Sequence, residues 1–479
     1  PMNTANMVDL SSIAPEILLC AVGVLVLLLE AFAPSLRRVF TALSAAAVAA
    51  AAWLAFGVAE GPSFGGLIEW SSTTEAFALV VLLSTFLGLA ASDGYLRREG
   101  ILAGEYHALI LWCAAGLLFM LRATELLTVF VALETLSLAL YALAAFNRKV
   151  KVGSEAAVKY FLLGAFASAF VLYGLALLYG ETGSTRLDAI GAALTGDGST
   201  LASLGVLLLI AGFGFKMSLV PFHAWSPDTY QGAPSPFVGF LSVAPKVASA
   251  LVLIRILEMV AGNVAFDSAR IVSILAVASM LVGNLFALVQ RDLKRMLAYS
   301  GIAHMGYLLI ALVTLTPESS KAVLVYLLAY ALMNAGAFAV IAVLYARAGE
   351  PHLISELSGW GYRFPALGAA LTVCMLSLGG IPPTLGFIGK YVVFVHAVRQ
   401  GDLWIAVVGV LASLVGVFYY LRVVYTLYMR PEERVPVAGV GRDAWGGAAA
   451  ALAALALLVL GILPGPILDW VWQAGSGAF

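Results

Sequence analysis

Long apolar runs separated by short polar stretches run through the whole chain. A helix that crosses a bilayer needs about 20 apolar residues. Runs of that kind fall near 13–34, 40–58, 75–93, 104–121, 124–146, 155–180 and 200–220. They continue near 235–258, 270–290, 294–315, 320–346, 365–398, 403–428 and 445–468. The pattern predicts an all-α polytopic membrane protein with about fourteen transmembrane helices. Continuous runs, not alternating ten-residue ones, favour helices over a barrel. Two runs are broken. The stretch 203–250 holds Lys216 and Lys246 around a segment containing Pro221, His223, Pro227, Asp228, Gly232, Pro234 and Pro236. The run 365–398 is interrupted by Gly379, Gly380, Pro382 and Pro383 and carries Lys390. Proline removes a backbone donor and clashes with the preceding turn, so both runs are read as discontinuous helices.

Composition agrees. Of 479 residues, 62% are hydrophobic and 11% charged, where soluble domains carry roughly 25% charged residues. Mean hydropathy is +0.99. A net charge of −1 offers no basic surface for nucleic acid. Cys20, Cys113 and Cys374 are isolated in apolar runs, with no Cys/His cluster for a metal or iron–sulfur centre. No phosphate-binding glycine fingerprint stands in a strand–helix context. Asp9 and Glu16, not a basic region, precede the first run, which predicts a retained span over a cleaved signal. The piece 187–196 reads as a short interfacial helix.

Basic residues sort the connectors by side. With the N-terminus outside, the inside connectors hold Arg37, Arg38, Arg97, Arg98, Arg148, Lys149, Lys151, Arg291, Lys294, Arg295, Arg347, Arg363, Arg430, Arg434 and Arg442. The outside ones hold only Arg122, Arg186, Arg270, Lys321 and Arg399. The asymmetry places both termini outside. Arg255 and Arg422 lie near helix ends and are expected to snorkel.

Lys159, Lys216, Lys246 and Lys390 do not fit this surface pattern. Ionisable groups within a span are costly and face protein or water. Glu134 sits mid-span and is read as a relay member or a partner of a lysine, against a fixed ion pair. Lys216 and Lys246 flank a break; lysine, unlike arginine, exchanges a proton when buried. Lys390 follows the second break, whose freed carbonyls are expected to order water or hold a cation. Lys159 follows Glu155 by four residues, which suits a helix-stabilising pair as well as a relay. His304, with Tyr299, Ser300 and Tyr307 near it in sequence, reads either as a core histidine or as a hydrogen-bonded relay. His223 and Asp228 either cap the half-helix or line an entry. Glu134, Lys216, Lys246, His304 and Lys390 lie at similar depth; convergence would make a polar axis in the bilayer plane.

The chain reads as a single membrane domain, 1–479. Residues 104–258 and 270–428 each hold five helices with the break in the fourth. An odd number inverts the second copy, as in secondary transporters. The helices of 13–93 and 445–468 flank the two repeats.

The segments ALETLSLALYAL, EAAVKYFLLGAFASAFVLYG, GFGFKMSLVPFHAWSPDTYQGAPSP, DLKRMLAYSGIAHMGY and GIPPTLGFIGKYVVF resemble one family over residues 13 to 470. This is the subunit N family of bacterial NADH–quinone oxidoreductase (complex I), antiporter-like and counterpart to the mitochondrial NADH dehydrogenase subunit 2. The resemblance implies a proton-translocating subunit in a bacterial inner membrane, both termini periplasmic, working as part of an oxidoreductase without a redox centre of its own. Glu134, Lys216, Lys246 and Lys390 match the family's proton-translocating positions, and Lys159 and His304 fall in matching motifs. NADH, FMN, iron–sulfur clusters and quinone are expected in other subunits. The partners implied are membrane-arm subunits, including a neighbouring antiporter-like subunit and small membrane subunits, together with lipids. Two rival readings stay open: a subunit of a multisubunit cation/proton antiporter, and a structural scaffold whose buried charges are fixed pairs.

Overall fold

The computed structural model describes residues 9–149, 151–194, 199–260, 264, 266–344, 353–430 and 443–474. Arg347, Arg434 and Arg442, counted above on the inside, lie outside them.

Helices occupy the predicted runs. In order they are α1 (Ala14–Phe32), α2 (Phe40–Ala55), α3 (Ser72–Glu99), α4 (Gly104–Arg122), α5 (Leu126–Ala144), α6 (Lys151–Thr182), α7 (Leu187–Ala193), α8 (Thr200–Met217), α9 (Trp225–Gly232) and α10 (Ser235–Leu241). There follow α11 (Ala244–Met259), α12 (Ser268–Val289), α13 (Leu293–Ile310), α14 (Ser319–Leu344), α15 (Trp360–Arg363), α16 (Pro365–Gly379), α17 (Leu385–Arg399), α18 (Leu403–Met429), α19 (Ala444–Ile462) and α20 (Gly465–Ala474). Among the described residues, twelve helical stretches are long and apolar enough to cross a membrane. The two remaining predicted places hold α13, whose first turn carries Lys294 and Arg295, and the broken pair α16–α17. The connector 58–74 departs from an all-helical expectation. It folds into a small antiparallel hairpin, β1 (Gly61–Ser63) with β2 (Ile68–Trp70).

Helix starts follow local chemistry. The side chains of Ser71, Ser199, Asp267, Asp292 and Asp443 accept bonds from free backbone N–H groups in the first turns of α3, α8, α12, α13 and α19. The core centres on α14, which packs against α3, α10, α16, α17 and α19 and is buried from Ala322 to Leu344. Phe161, Leu162 and Phe166 of α6 and Val410, Leu414 and Phe418 of α18 stay exposed. Such an apolar girdle is stable only against lipid or neighbouring chains.

Tertiary contacts respect the predicted sides. Arg98 pairs with Asp443, and Arg295 with Asp228, all at the basic face. At the opposite face, which holds the described chain ends, Thr73 bonds the Ala474 carbonyl and Thr314 bonds Asp402.

Two arginines show the internal repeat. Arg255 of α11 donates to the carbonyls of Leu121 (2.7 Å) and Ala123 (2.9 Å), closing the end of α4. Arg422 of α18 donates to the carbonyls of Leu288 (2.9 Å) and Gln290 (2.7 Å), closing the end of α12. Each residue of the second set stands at one and the same interval beyond its counterpart in the first. Both arginines are partly buried at helix ends, and each satisfies carbonyls that a helix end leaves unpaired. Gly116 and Gly283 repeat at that interval too. A Cβ on Gly116 would meet Leu136 and the Ala132 carbonyl, and one on Gly283 would meet Ala303 and the Tyr299 carbonyl. The two arginine clusters lie at opposite faces, so the second copy is inverted.

Candidate proton-relay site

The breaks come first, because they place the lysines. Helix α8 ends at Ser218, in the left-handed region (φ 62°), with Ser218 N–H bonded to the Phe215 carbonyl and Leu219 N–H to the Gly214 carbonyl. Helix α16 ends at Gly380 (φ 76°), with Gly380 N–H bonded to the Ser377 carbonyl and Ile381 N–H to the Leu376 carbonyl. Both are the same hydrogen-bonded C-terminal cap. Lys216 sits just before the first cap, on α8. Lys390 sits past the second, on α17.

Lys216 is buried and donates to Ser137 Oγ of α5 at 2.7 Å. Its ammonium stands 5.5 Å from the Tyr141 ring and 6.0 Å from Phe215, within reach of cation–π attraction. Glu134, one turn before Ser137, is half-buried and accepts a bond from Ser168 of α6. Glu134, read from sequence as a relay member or a lysine's partner, therefore forms no direct ion pair with Lys216. They meet through α5, and the carboxylate acts on the lysine through space.

From Lys216 an aromatic series runs to Lys246. Phe215 packs on Trp225 (5.4 Å between ring centres) and Trp225 on Tyr230 (6.4 Å). Lys246 Nζ is 5.9 Å from the Tyr230 ring and 5.7 Å from Tyr330. Lys246 is fully buried, and among the described residues neither its ammonium nor the Tyr330 hydroxyl has a hydrogen-bond partner. A buried polar group left unpaired is costly, so this pair is where bound water would repay most.

His304 follows. Its Nδ1 bonds the Tyr326 hydroxyl at 2.7 Å and its Nε2 the Tyr420 hydroxyl at 3.1 Å, and Tyr420 also bonds Ser300. Tyr307 and Tyr330 pack on the ring at 5.8 and 5.3 Å. His304 lies within electrostatic reach of both Lys246 and Lys390. Of the neighbours expected from sequence, Tyr299 is absent from this cage: it stacks on Phe286.

Lys390 is buried and donates to the carbonyls of Leu378 (3.1 Å) and Gly379 (3.2 Å) and to Ser413 Oγ (2.7 Å). The carbonyls freed by the break thus take the ammonium of this chain's own lysine. The Tyr307 ring lies 5.0 Å from the same ammonium.

Lys159 does not join the series. It is exposed at the basic face, 2.9 Å from Glu155 and 3.0 Å from Asp228. Asp228 also binds Arg295 at 2.6 Å. Asp228 therefore caps nothing; it anchors α9 to α6 and α13. His223 is half-buried in the break.

Sequence reading missed Ser137, Ser168, Tyr326, Tyr330, Ser413 and Tyr420. Part of the signal was present. Ser137 lies one turn from Glu134, and Tyr326, Tyr330 and Asn334 follow one another at i, i+4 spacing on an otherwise apolar helix.

Two discontinuous helices, each with a buried lysine at its break and set in inverted copies, define a membrane protein of the antiporter-like class. A family model described as NADH:quinone oxidoreductase/Mrp antiporter, TM, matches residues 123–416. The chain is 39% identical to an NADH-quinone oxidoreductase subunit N of Trichlorobacter lovleyi, over 98% of this chain and 97% of that one. A chain of respiratory complex I from Thermus thermophilus is similar in structure, with a TM-score of 0.80 at 36% identity, covering 95% of this chain and 98% of that one. A chain of the Mrp complex from Dietzia has the same fold, with a TM-score of 0.80 at 22% identity, covering 98% of this chain and 97% of that one. The chain belongs to the subunit N family of NADH-quinone oxidoreductases.

Proposed function

We propose that this chain carries protons across an energy-conserving membrane as a membrane-arm subunit of an NADH:quinone oxidoreductase. One observation carries the reading. Lys216, Lys246 and Lys390 are buried in series, and among the described residues none has a carboxylate within ion-pair distance. A scaffold of fixed pairs would look like Glu16–Arg122, both buried and joined at 2.7 Å. Lysines held instead by hydroxyls, carbonyls and ring faces keep a proton that they are able to give up. Glu134 biases Lys216 through space; Lys216, Lys246, His304 and Lys390 pass the proton laterally.

The redox chemistry that drives transfer belongs to other subunits, which supply NADH oxidation and quinone reduction. The membrane is the bacterial inner membrane, crossed fourteen times counting α13 and the broken pair α16–α17. The basic face is cytoplasmic and the face with the described chain ends periplasmic. The exposed apolar girdle meets lipid and neighbouring membrane-arm subunits. The cation/proton antiporter reading ranks second, because the Mrp likeness at 22% identity speaks for fold alone.

The test is Lys246→Met in the assembled complex, reconstituted in liposomes. Proton pumping and quinone reduction are expected to fall together while the complex assembles. Normal pumping in that variant would sink the proposal.

A further inference from the structure

Another buried histidine, His396, lies outside the lateral series. His396 lies on α17, six residues beyond Lys390, about 9 Å further along the helix axis. It is buried, its Nε2 is 3.2 Å from Ser319 Oγ of α14, and the ring also bonds the backbone of Thr314. With Glu318, Ala322, Val395, Arg399 and Trp472, among others, it lines a cavity of about 160 Å³. Glu318 and Arg399 stand exposed at the rim, and Trp472 of α20 closes one side. The cavity has room for several waters, since each needs only about 15 Å³ of such space. It opens at the face that holds the described chain ends. Glu318, Arg399 and Asp402 are the charged groups around the ring.

Val393, fully buried, stands between Lys390 and His396 on the same helix. The lysine is therefore held among carbonyls, Ser413 and the Tyr307 ring, while the histidine lines a pocket with room for water, with an apolar turn between them. That is the arrangement a one-way exit needs: among the described residues, no side-chain hydrogen bonds link Lys390 to His396.

We propose that His396 is the terminal proton carrier, taking the proton from Lys390 and releasing it to water in this cavity. The step breaks an N–H bond at Lys390 and forms one at the His396 imidazole. The imidazolium then returns to neutral imidazole by giving its proton to a cavity water, beside the Glu318 carboxylate. Solvent crosses the Val393 turn only during transfer. This rests on the proton-carrying reading above.

The experiment uses the assembled complex in liposomes, with His396→Gln, His396→Ala, Ala322→Phe and Lys390→Met compared side by side. Glutamine keeps a hydrogen bond to Ser319 but does not titrate, so proton release is expected to fall roughly tenfold or more. Added imidazole is expected to restore release in His396→Ala, which a purely structural role for the histidine would not allow. Ala322→Phe fills the cavity and is expected to slow release without rescue by imidazole. Wild-type release from assembled His396→Gln overturns the exit while leaving the lateral series standing, provided Lys390→Met is silent. Wild-type release from Lys390→Met as well overturns the proton-carrying reading itself.

Discussion

His304 stands in the second half of the fold where Ser137 stands in the first. The interval between them is the one that separates Arg255 from Arg422 and Gly116 from Gly283. Ser137 accepts the ammonium of Lys216; His304 sits between Lys246 and Lys390. A fixed hydroxyl has thus been exchanged for a group that titrates near neutral pH when unperturbed. The same interval carries Glu134 to Gly301. A Cβ on Gly301 would fall 3.2 Å from Lys246 Nζ and 2.8 Å from the Tyr330 hydroxyl. Where the first half holds a carboxylate, the second leaves room for a lysine from its inverted neighbour.

Gly301→Ala separates stability from function. Alanine favours the helix by up to about 1 kcal/mol, and the two crowded atoms are tips of flexible side chains. The purified complex is expected to melt no earlier than wild type. Proton pumping is expected to fall several-fold, because Lys246 and Tyr330 are pushed out of register. A variant that pumps normally would show the gap to be idle.

Lys390→Arg keeps the charge and the donors to the Leu378 and Gly379 carbonyls but does not release a proton. Lys390→Met removes both, leaving buried carbonyls unpaired at a cost of about 1–3 kcal/mol. Both are expected to abolish pumping, but only the methionine variant is expected to lower the melting temperature. Equal melting of the two would show that the ammonium contributes little to closing the break.

Ser137→Ala removes the one hydrogen bond that Lys216 makes among the described residues. A bond to a charged group is worth about 1.5–3 kcal/mol. Pumping is expected to drop by about tenfold or more, yet less than in Lys216→Ala. Glu134→Gln, which touches Ser168 and not the lysine, is expected to fall between Ser137→Ala and wild type. The order of the three rates checks the assignment.

Lys159→Ala is expected to leave pumping close to wild type. Its ammonium is exposed among Glu155 and Asp228, where solvent and salt screen its charge. Asp228→Asn, which also frees Arg295, is expected to do more, loosening α9 and with it the Trp225–Tyr230 link. Pumping rates of both variants at low and high salt test this. Loss of pumping in Lys159→Ala would place that lysine in the relay after all.

The sequence by itself determined where the helices lie, which connectors share a face, where two helices break and which charges are anomalous. Each of these is local. A span is a run of apolar residues, a break needs its own proline and glycine, and side preference is written in the connectors. Tertiary structure decided which way each charged side chain turns. In helices apolar all round, no hydrophobic face separates the bundle interior from lipid, so only the spacing of Lys159 from Glu155 and the break beside Lys216 hinted that the first is exposed and the second buried. It also decided the partners. Ser137, Tyr326, Tyr330, Ser413 and Tyr420 come from three helices, α5, α14 and α18, that only packing brings together, and the cavity at His396 exists only where α14, α17 and α20 meet.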